Sequence, residues 1–263
     1  MRKILGLFLL SFFLMSANIG DYQLVNTVTF PTHTVFTTDK FGNLFAILGN
    51  QLLQFDKNGK PLANFSKGNL GELRSVDASN PLKIVLFYPD FAQIVTLNSK
   101  LGEQSVINLR NIGLNQPLVA CSSENGGFWI YDRDDDQLKK IDLNLQIAFQ
   151  SGNLTQAFGQ TIQPNFICES GGYVYLNNPE TGIKVFDQFG TFYKEIPYPG
   201  LRSFQIVDQN ILFVKDNKFF RYESKSVSEK EILLPPHGAV SGGRIEQQQL
   251  YLLTSDSLNF YSF

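Results

Sequence analysis

The feature that most constrains this chain is an internal repeat of about forty residues that runs through nearly all of it. Each copy holds an apolar strand, a short polar turn, a second strand ending in an aromatic or aliphatic residue plus Asp, Asn or Glu, and then a further turn and strand. The clearest copy reads Gly42-Asn43-Leu44-Phe45-Ala46-Ile47, turn Leu48-Gly49-Asn50, then Leu52-Leu53-Gln54-Phe55-Asp56 and the turn Lys57-Asn58-Gly59-Lys60. Later copies open at Lys83, Gly127, Gly172, Ile211 and Leu250. When Asp56, Asn98, Asp142, Asp187, Glu223 and Tyr261 are taken as one repeated position, the steps are 42, 44, 45, 36 and 38 residues. That is the length of a four-stranded sheet unit. No copy carries an apolar stripe at i, i+3, i+4, and Gly, Asn and Asp interrupt each one every few residues, which argues against a helical solenoid.

The expected architecture is therefore all-β: a six-bladed β-propeller with four-stranded blades. The sixth copy ends before its fourth strand, and the stretch Tyr22 to Phe30 has no blade of its own. A strand from that stretch should close the last blade and remove the open edge of the ring. The 24 Phe and 10 Tyr suit half-buried pleated surfaces. Clusters at Pro31, Pro117, Pro164, Pro197 to Gly200 and Pro235 to Gly238 mark crossings between blades, so residues 18–263 read as one domain.

Residues 1–17 read as a signal peptide. Met1, Arg2 and Lys3 form a positive start, Ile4 to Met15 an apolar run, and Ser16-Ala17 a small-residue cut. The apolar run falls short of the roughly 20 residues that a membrane span needs. A mature chain without a transmembrane segment is expected, exported to a periplasmic or outer-membrane-associated position in a bacterial source. The net charge of -2 is too small to draw the protein onto nucleic acid. Cys121 and Cys168 occupy matching positions in neighbouring copies and read as buried free thiols.

The runs Asp39-Lys40-Phe41-Gly42-Asn43-Leu44-Phe45 and Val185-Phe186-Asp187-Gln188-Phe189-Gly190 resemble the blade signature of six-bladed propellers of the NHL-like and TolB-like type. The resemblance implies a fold. It also brings in lactonase-type and lyase-type propellers, whose metal is held by carboxylates, amides or histidines in the central channel. Asp77, Glu169 and Asp208, at the innermost strands, are the corresponding oxygen candidates for calcium. His33 and His237, in inter-blade crossings, are the histidine candidates for zinc. The plainer reading makes the three acids strand ends and the two histidines surface residues.

Other signals are local. The acidic turn Asp132-Arg133-Asp134-Asp135-Asp136 lacks the ligand spacing of a calcium loop and reads as a solvated hairpin tip. Gly126-Gly127, Gly171-Gly172 and Gly242-Gly243 read as hairpin turns. Arg74 and Arg202 precede the innermost strands of the second and fifth copies, and Arg244 enters the sixth. These three could ring one channel mouth as an anion site, or each could pair locally, as Arg74 would with Glu72.

Few residues of catalytic type are present, which points to a non-enzymatic protein-binding or scaffold subunit of the cell envelope that needs no cofactor. Its partner would be an envelope protein or a glycan. Exposed Phe and Tyr on one face would mark the contact. The alternative is a metal-dependent hydrolase or lyase, carrying Ca or Zn in the channel.

Overall fold

The computed structural model describes residues 22–263, so the expected signal peptide lies outside the described residues. It contains six four-stranded antiparallel sheets. Blades 1 to 5 cover residues 36–66, 75–108, 117–150, 166–196 and 205–232, and each is built from strands in chain order. Blade 6 takes three strands from residues 242–262 and its outermost strand, Gln23–Thr29, from the other end of the chain. That strand pairs antiparallel with Ser257–Ser262, in register from Gln23 opposite Ser262 to Thr29 opposite Ser257, with one bulge near Leu24. The expected closure of the ring is present.

The repeated polar position has a physical role. The carboxylate or amide oxygen of Asp56, Asn98, Asp142 and Asp187 accepts the main-chain N–H groups two and four residues on, at 2.8 to 2.9 Å. One side chain therefore folds the turn between the third and fourth strands of four blades. In blade 5 Glu223 is too long for this role and instead holds Lys230 at 2.8 Å. We expect Asp187→Ala to cost about 1 to 2 kcal/mol, because two turn amides lose their acceptor. A thermal melt checks this, and Glu180→Ala, at an exposed loop position, should leave the melt unchanged.

The core is a ring of clusters, each between two adjacent blades. Blades 1 and 2 share Phe45, Leu52, Leu73, Ile84 and Leu86, while blades 6 and 1 share Phe30, Leu44, Phe55, Tyr251 and Phe260. Four more clusters fill the remaining joints. Side chains from one blade also satisfy main-chain groups of the next. Asn50 bridges to Gly71 and Leu73, Asp77 accepts from Ser122 N–H at 2.7 Å, and Glu169 accepts from Glu124 N–H at 2.7 Å. Gln205 clasps both main-chain groups of Ile245, at 2.8 and 2.9 Å.

Two local expectations are corrected. The turn 132–136 has a solvated tip at Arg133, Asp134 and Asp135, as expected, but its two ends, Asp132 and Asp136, are structural junctions. Asp132 is fully buried and accepts from Gln116 N–H, Lys139 Nζ stands 3.5 Å from Asp132 and 2.5 Å from Asp135, and Asp136 receives Tyr131 and Thr155 hydroxyls. Gly126-Gly127 and Gly171-Gly172 turn hairpins with positive φ, as expected, whereas Gly242 and Gly243 open the innermost strand of blade 6. A Cβ at Gly242 would come within 2.8 Å of the Phe36 ring, and one at Gly243 within 3.1 Å of the Phe219 ring. Close packing of the strand, rather than a turn, calls for glycine at both positions.

Candidate functional site

Each innermost strand starts at the crossing from the preceding blade and ends at its own first hairpin, so position along the strand gives depth in the channel. All six blades contribute to a central cavity of about 340 Å³. At the hairpin mouth stand Asp77, Glu124, Glu169 and Glu246, with Lys40. Arg74 and Asn165 stand at the crossing mouth. Arg244, third of five residues in Gly242–Glu246, lies at mid-depth and donates from Nε to Thr38 Oγ1 at 3.1 Å. Burial pulls its guanidinium pKa down to about 10, while Glu246 and Asp77 push the other way, so it keeps its charge at neutral pH.

A second cavity, of about 330 Å³, opens on the crossing side between blades 5, 6 and 1. Its basic lining is Arg202, Lys215, Arg244 and His33, and its apolar wall includes Phe36, Phe204, Phe213 and Val240. The walls are anchored locally. Asn177 donates to Asn165 Oδ1 at 2.6 Å and to Leu201 O at 2.7 Å, and Asn165 holds Arg202 O, which fixes the loop that carries Arg202. Asp216 and Asn217 both have positive φ, the geometry of a two-residue hairpin turn, and Asn217 accepts from Val240 N–H across the cavity.

The expected anion trio is thus divided. Arg244 shares the channel with Arg74 and the second cavity with Arg202, and Arg74 does not line the latter. Arg74 instead stands 3.4 Å from Glu72, as its local alternative had it. Lys215 joins the basic cavity, although as part of a turn it gave no sign of this in the sequence.

The metal candidates are also divided. Asp77 and Glu169 line the channel, where both accept main-chain bonds from blade 3, and the other Glu169 oxygen is buried without a hydrogen-bond partner. Asp208 begins the tight turn Asp208-Gln209, with both φ positive, and lines neither cavity. His33 is at the second cavity, whereas exposed His237 lines neither. Among the described residues no three of His, Cys, Asp and Glu are grouped to hold a metal ion.

Cys121 is buried and Cys168 half-buried, on the innermost strands of blades 3 and 4, and both are free. Burial pushes both thiols well above their ordinary pKa, with Asp77 adding to the effect, which disfavours a nucleophilic thiolate.

Virginiamycin B lyase from Staphylococcus aureus, solved as a catalytically inactive His-to-Ala variant with quinupristin, superposes with a TM-score of 0.64 at 12% identity, covering 92% of this chain and 100% of that one. The likeness is one of fold. Two further propellers show how wide it is. The Pan2 WD40 domain of Neurospora crassa matches at 0.57 and 11% identity over 92% of this chain and 95% of that one. BBS1N, solved in complex with ARL6DN, matches at 0.57 and 13% over 88% and 77%. No protein-family model matches the sequence, and no curated protein sequence matches it.

Outside both cavities, blades 3 and 4 and the segment between them carry a set of aromatic pairs. Phe149 meets Phe189 edge-on at 5.2 Å, Phe158 meets Phe192 at 5.0 Å, and Tyr173 meets Tyr193 at 5.3 Å. Phe189 is 52% and Tyr193 59% exposed, and Ile147, Phe149 and Phe192 also face solvent. The outer strand of blade 5, Ser228–Ile232, is by contrast mostly charged.

Proposed function

We propose that this chain is an exported, non-catalytic propeller subunit that docks a protein partner of the bacterial cell envelope on the outer strands of blades 3 and 4. The aromatic pairs carry this reading. Exposed Phe149 and Phe189 meet edge-on across the joint of blades 3 and 4, and Phe192 and Tyr193 follow on opposite faces of the outer strand of blade 4, Phe192 against Phe158 and Tyr193 against Tyr173; exposed aromatics of this kind are characteristic of interface centres. BBS1N, of the same fold, is a propeller in complex with another protein. The apolar N-terminal run supports export, and among the described residues no helix is long and apolar enough to cross a membrane.

Chemical cross-linking in the native envelope, followed by mass spectrometry, tests both points. The recovered chain is expected to begin near Asn18, and its cross-links to map to blades 3 and 4. The exposed variant Phe149→Ser/Phe189→Ser/Tyr193→Ser is expected to lose the partner by tenfold or more, since aromatic anchors at such centres often carry ~2 kcal/mol each, while its melt stays that of the parent. Retention of the partner by this variant would sink the reading.

The metal-dependent alternative rests on Asp77 and Glu169 at the channel, and specifically on the unpartnered Glu169 oxygen. Metal analysis of the same purified protein decides it: stoichiometric calcium or zinc, lost in Glu169→Gln, would put the channel first.

A further inference from the structure

We infer that the cavity between blades 5, 6 and 1 is a binding site for a small organic anion, with an apolar body against the phenylalanine wall and a carboxylate or phosphate head among Arg202, Lys215 and Arg244. The inference is independent of the partner surface on blades 3 and 4.

Its ground is charge without a direct ion pair: Arg202 is exposed, and Glu246 and Asp77 act on Arg244 only through space from the channel. Arg202, Lys215 and Arg244 make no ion pair among the described residues, although acids outnumber bases in the chain, 24 to 22. By contrast Lys139 and Lys184, which are more deeply buried, both have carboxylate partners. The one acid at the cavity is Asp216, exposed in its hairpin turn. Arg244 uses only Nε on a protein acceptor, Thr38, which leaves the terminal nitrogens to face an anion in the fork geometry that suits carboxylate and phosphate.

Shape agrees with charge. At about 330 Å³ the cavity is at the lower end of the range for small-molecule sites. Gly242 and Gly243 line it where their missing Cβ atoms make room for the Phe36 and Phe219 rings, and Phe36, Phe204, Phe213 and Val240 are its apolar lining. A neutral apolar ligand would leave the cations unpaired. An inorganic ion alone would leave the wall uncovered.

Titration with phenyl phosphate and with phenylacetate, using benzyl alcohol as the neutral control and inorganic phosphate as the bare head, tests the site by calorimetry or by protein NMR shifts. At least one of the two aromatic anions is expected to bind, more weakly as salt is raised, and benzyl alcohol is not. Arg202→Ala and Lys215→Ala are each expected to weaken binding roughly tenfold, the loss of one charge-assisted hydrogen bond, with unliganded melting unchanged. Arg74→Ala, which lies outside the cavity, is expected to bind as the parent does. Failure of both aromatic anions at millimolar concentration would overturn the inference, as would binding by Arg202→Ala and Lys215→Ala that equals the parent's. Inorganic phosphate binding as tightly as phenyl phosphate would overturn the apolar half of it.

Discussion

A chain that starts after Phe30 is expected to yield no cooperatively melting monomer. Removing residues 22–30 takes away the outermost strand of blade 6 and strips the ladder partner from Ser257–Ser262, leaving a bare edge beside Leu258 and Phe260. It also removes Phe30, which is 1% exposed and meets the Phe55 ring of blade 1 at 6.0 Å. Losing one buried Phe of this kind costs about 3 to 5 kcal/mol. That is a large part of the 5 to 15 kcal/mol by which an ordinary domain is stable, before the strand's own bonds are counted.

A circular permutant separates closure from mere truncation. Tyr22 and Phe263 have ring centroids 5.3 Å apart, so a short Gly/Asn link can join the ends as a hairpin. New ends then go between exposed Lys225 and Ser226. This chain keeps every strand and is expected to melt within a few degrees of the parent, as read by circular dichroism and size exclusion. A truncated chain that still melts cooperatively as a monomer would show that the ring does not depend on this strand.

The fold was legible because the polar turn residues recur with the sheet. Asp56, Asn98, Asp142 and Asp187 are spaced by the blade and also fold its turn, so one residue type reports both period and local geometry. Closure could be read from a deficit, since one strand was missing at the C-terminus and one was spare at the N-terminus. Gly242-Gly243 misled because a glycine pair looks the same whether it supplies positive φ or clears space for an aromatic ring.

The candidate sites were only partly legible. Arg202 and Arg244 were visible from their place before and within the innermost strands, but placing them in one cavity required the crossing geometry, which no local pattern encodes. Lys215 was hidden because its neighbours Asp216 and Asn217 already account for it as a turn. Asp208 failed as a channel residue for a similar reason: the strand Gln205–Val207 is three residues long, so Asp208 is already in the hairpin. Exposure of aromatics on one face was expected from their number, whereas their place on blades 3 and 4 needed the lateral packing of outer strands.

Lys139→Met is expected to destabilise the protein by about 3 to 5 kcal/mol, the cost of leaving a buried charge without its partner. Asp132 is completely buried in blade 3; its Oδ1 serves Gln116 N–H, while its Oδ2 makes no hydrogen bond and is compensated through the Lys139 charge 3.5 Å away. Lys139, 4% exposed, also balances Asp135, which lies partly in solvent and can rehydrate when the lysine is gone. The double variant Lys139→Met/Asp132→Asn keeps an acceptor for Gln116 and removes both charges, so it is expected to regain most of the loss. Urea unfolding of the parent, both single variants and the double gives the coupling energy directly. A solvated acidic hairpin tip, the reading that the sequence alone favoured, predicts changes within about 0.5 kcal/mol for every variant and no coupling. A coupling near zero would return the turn to that status, and one of 2 kcal/mol or more would make 132–139 the electrostatic pin of blade 3.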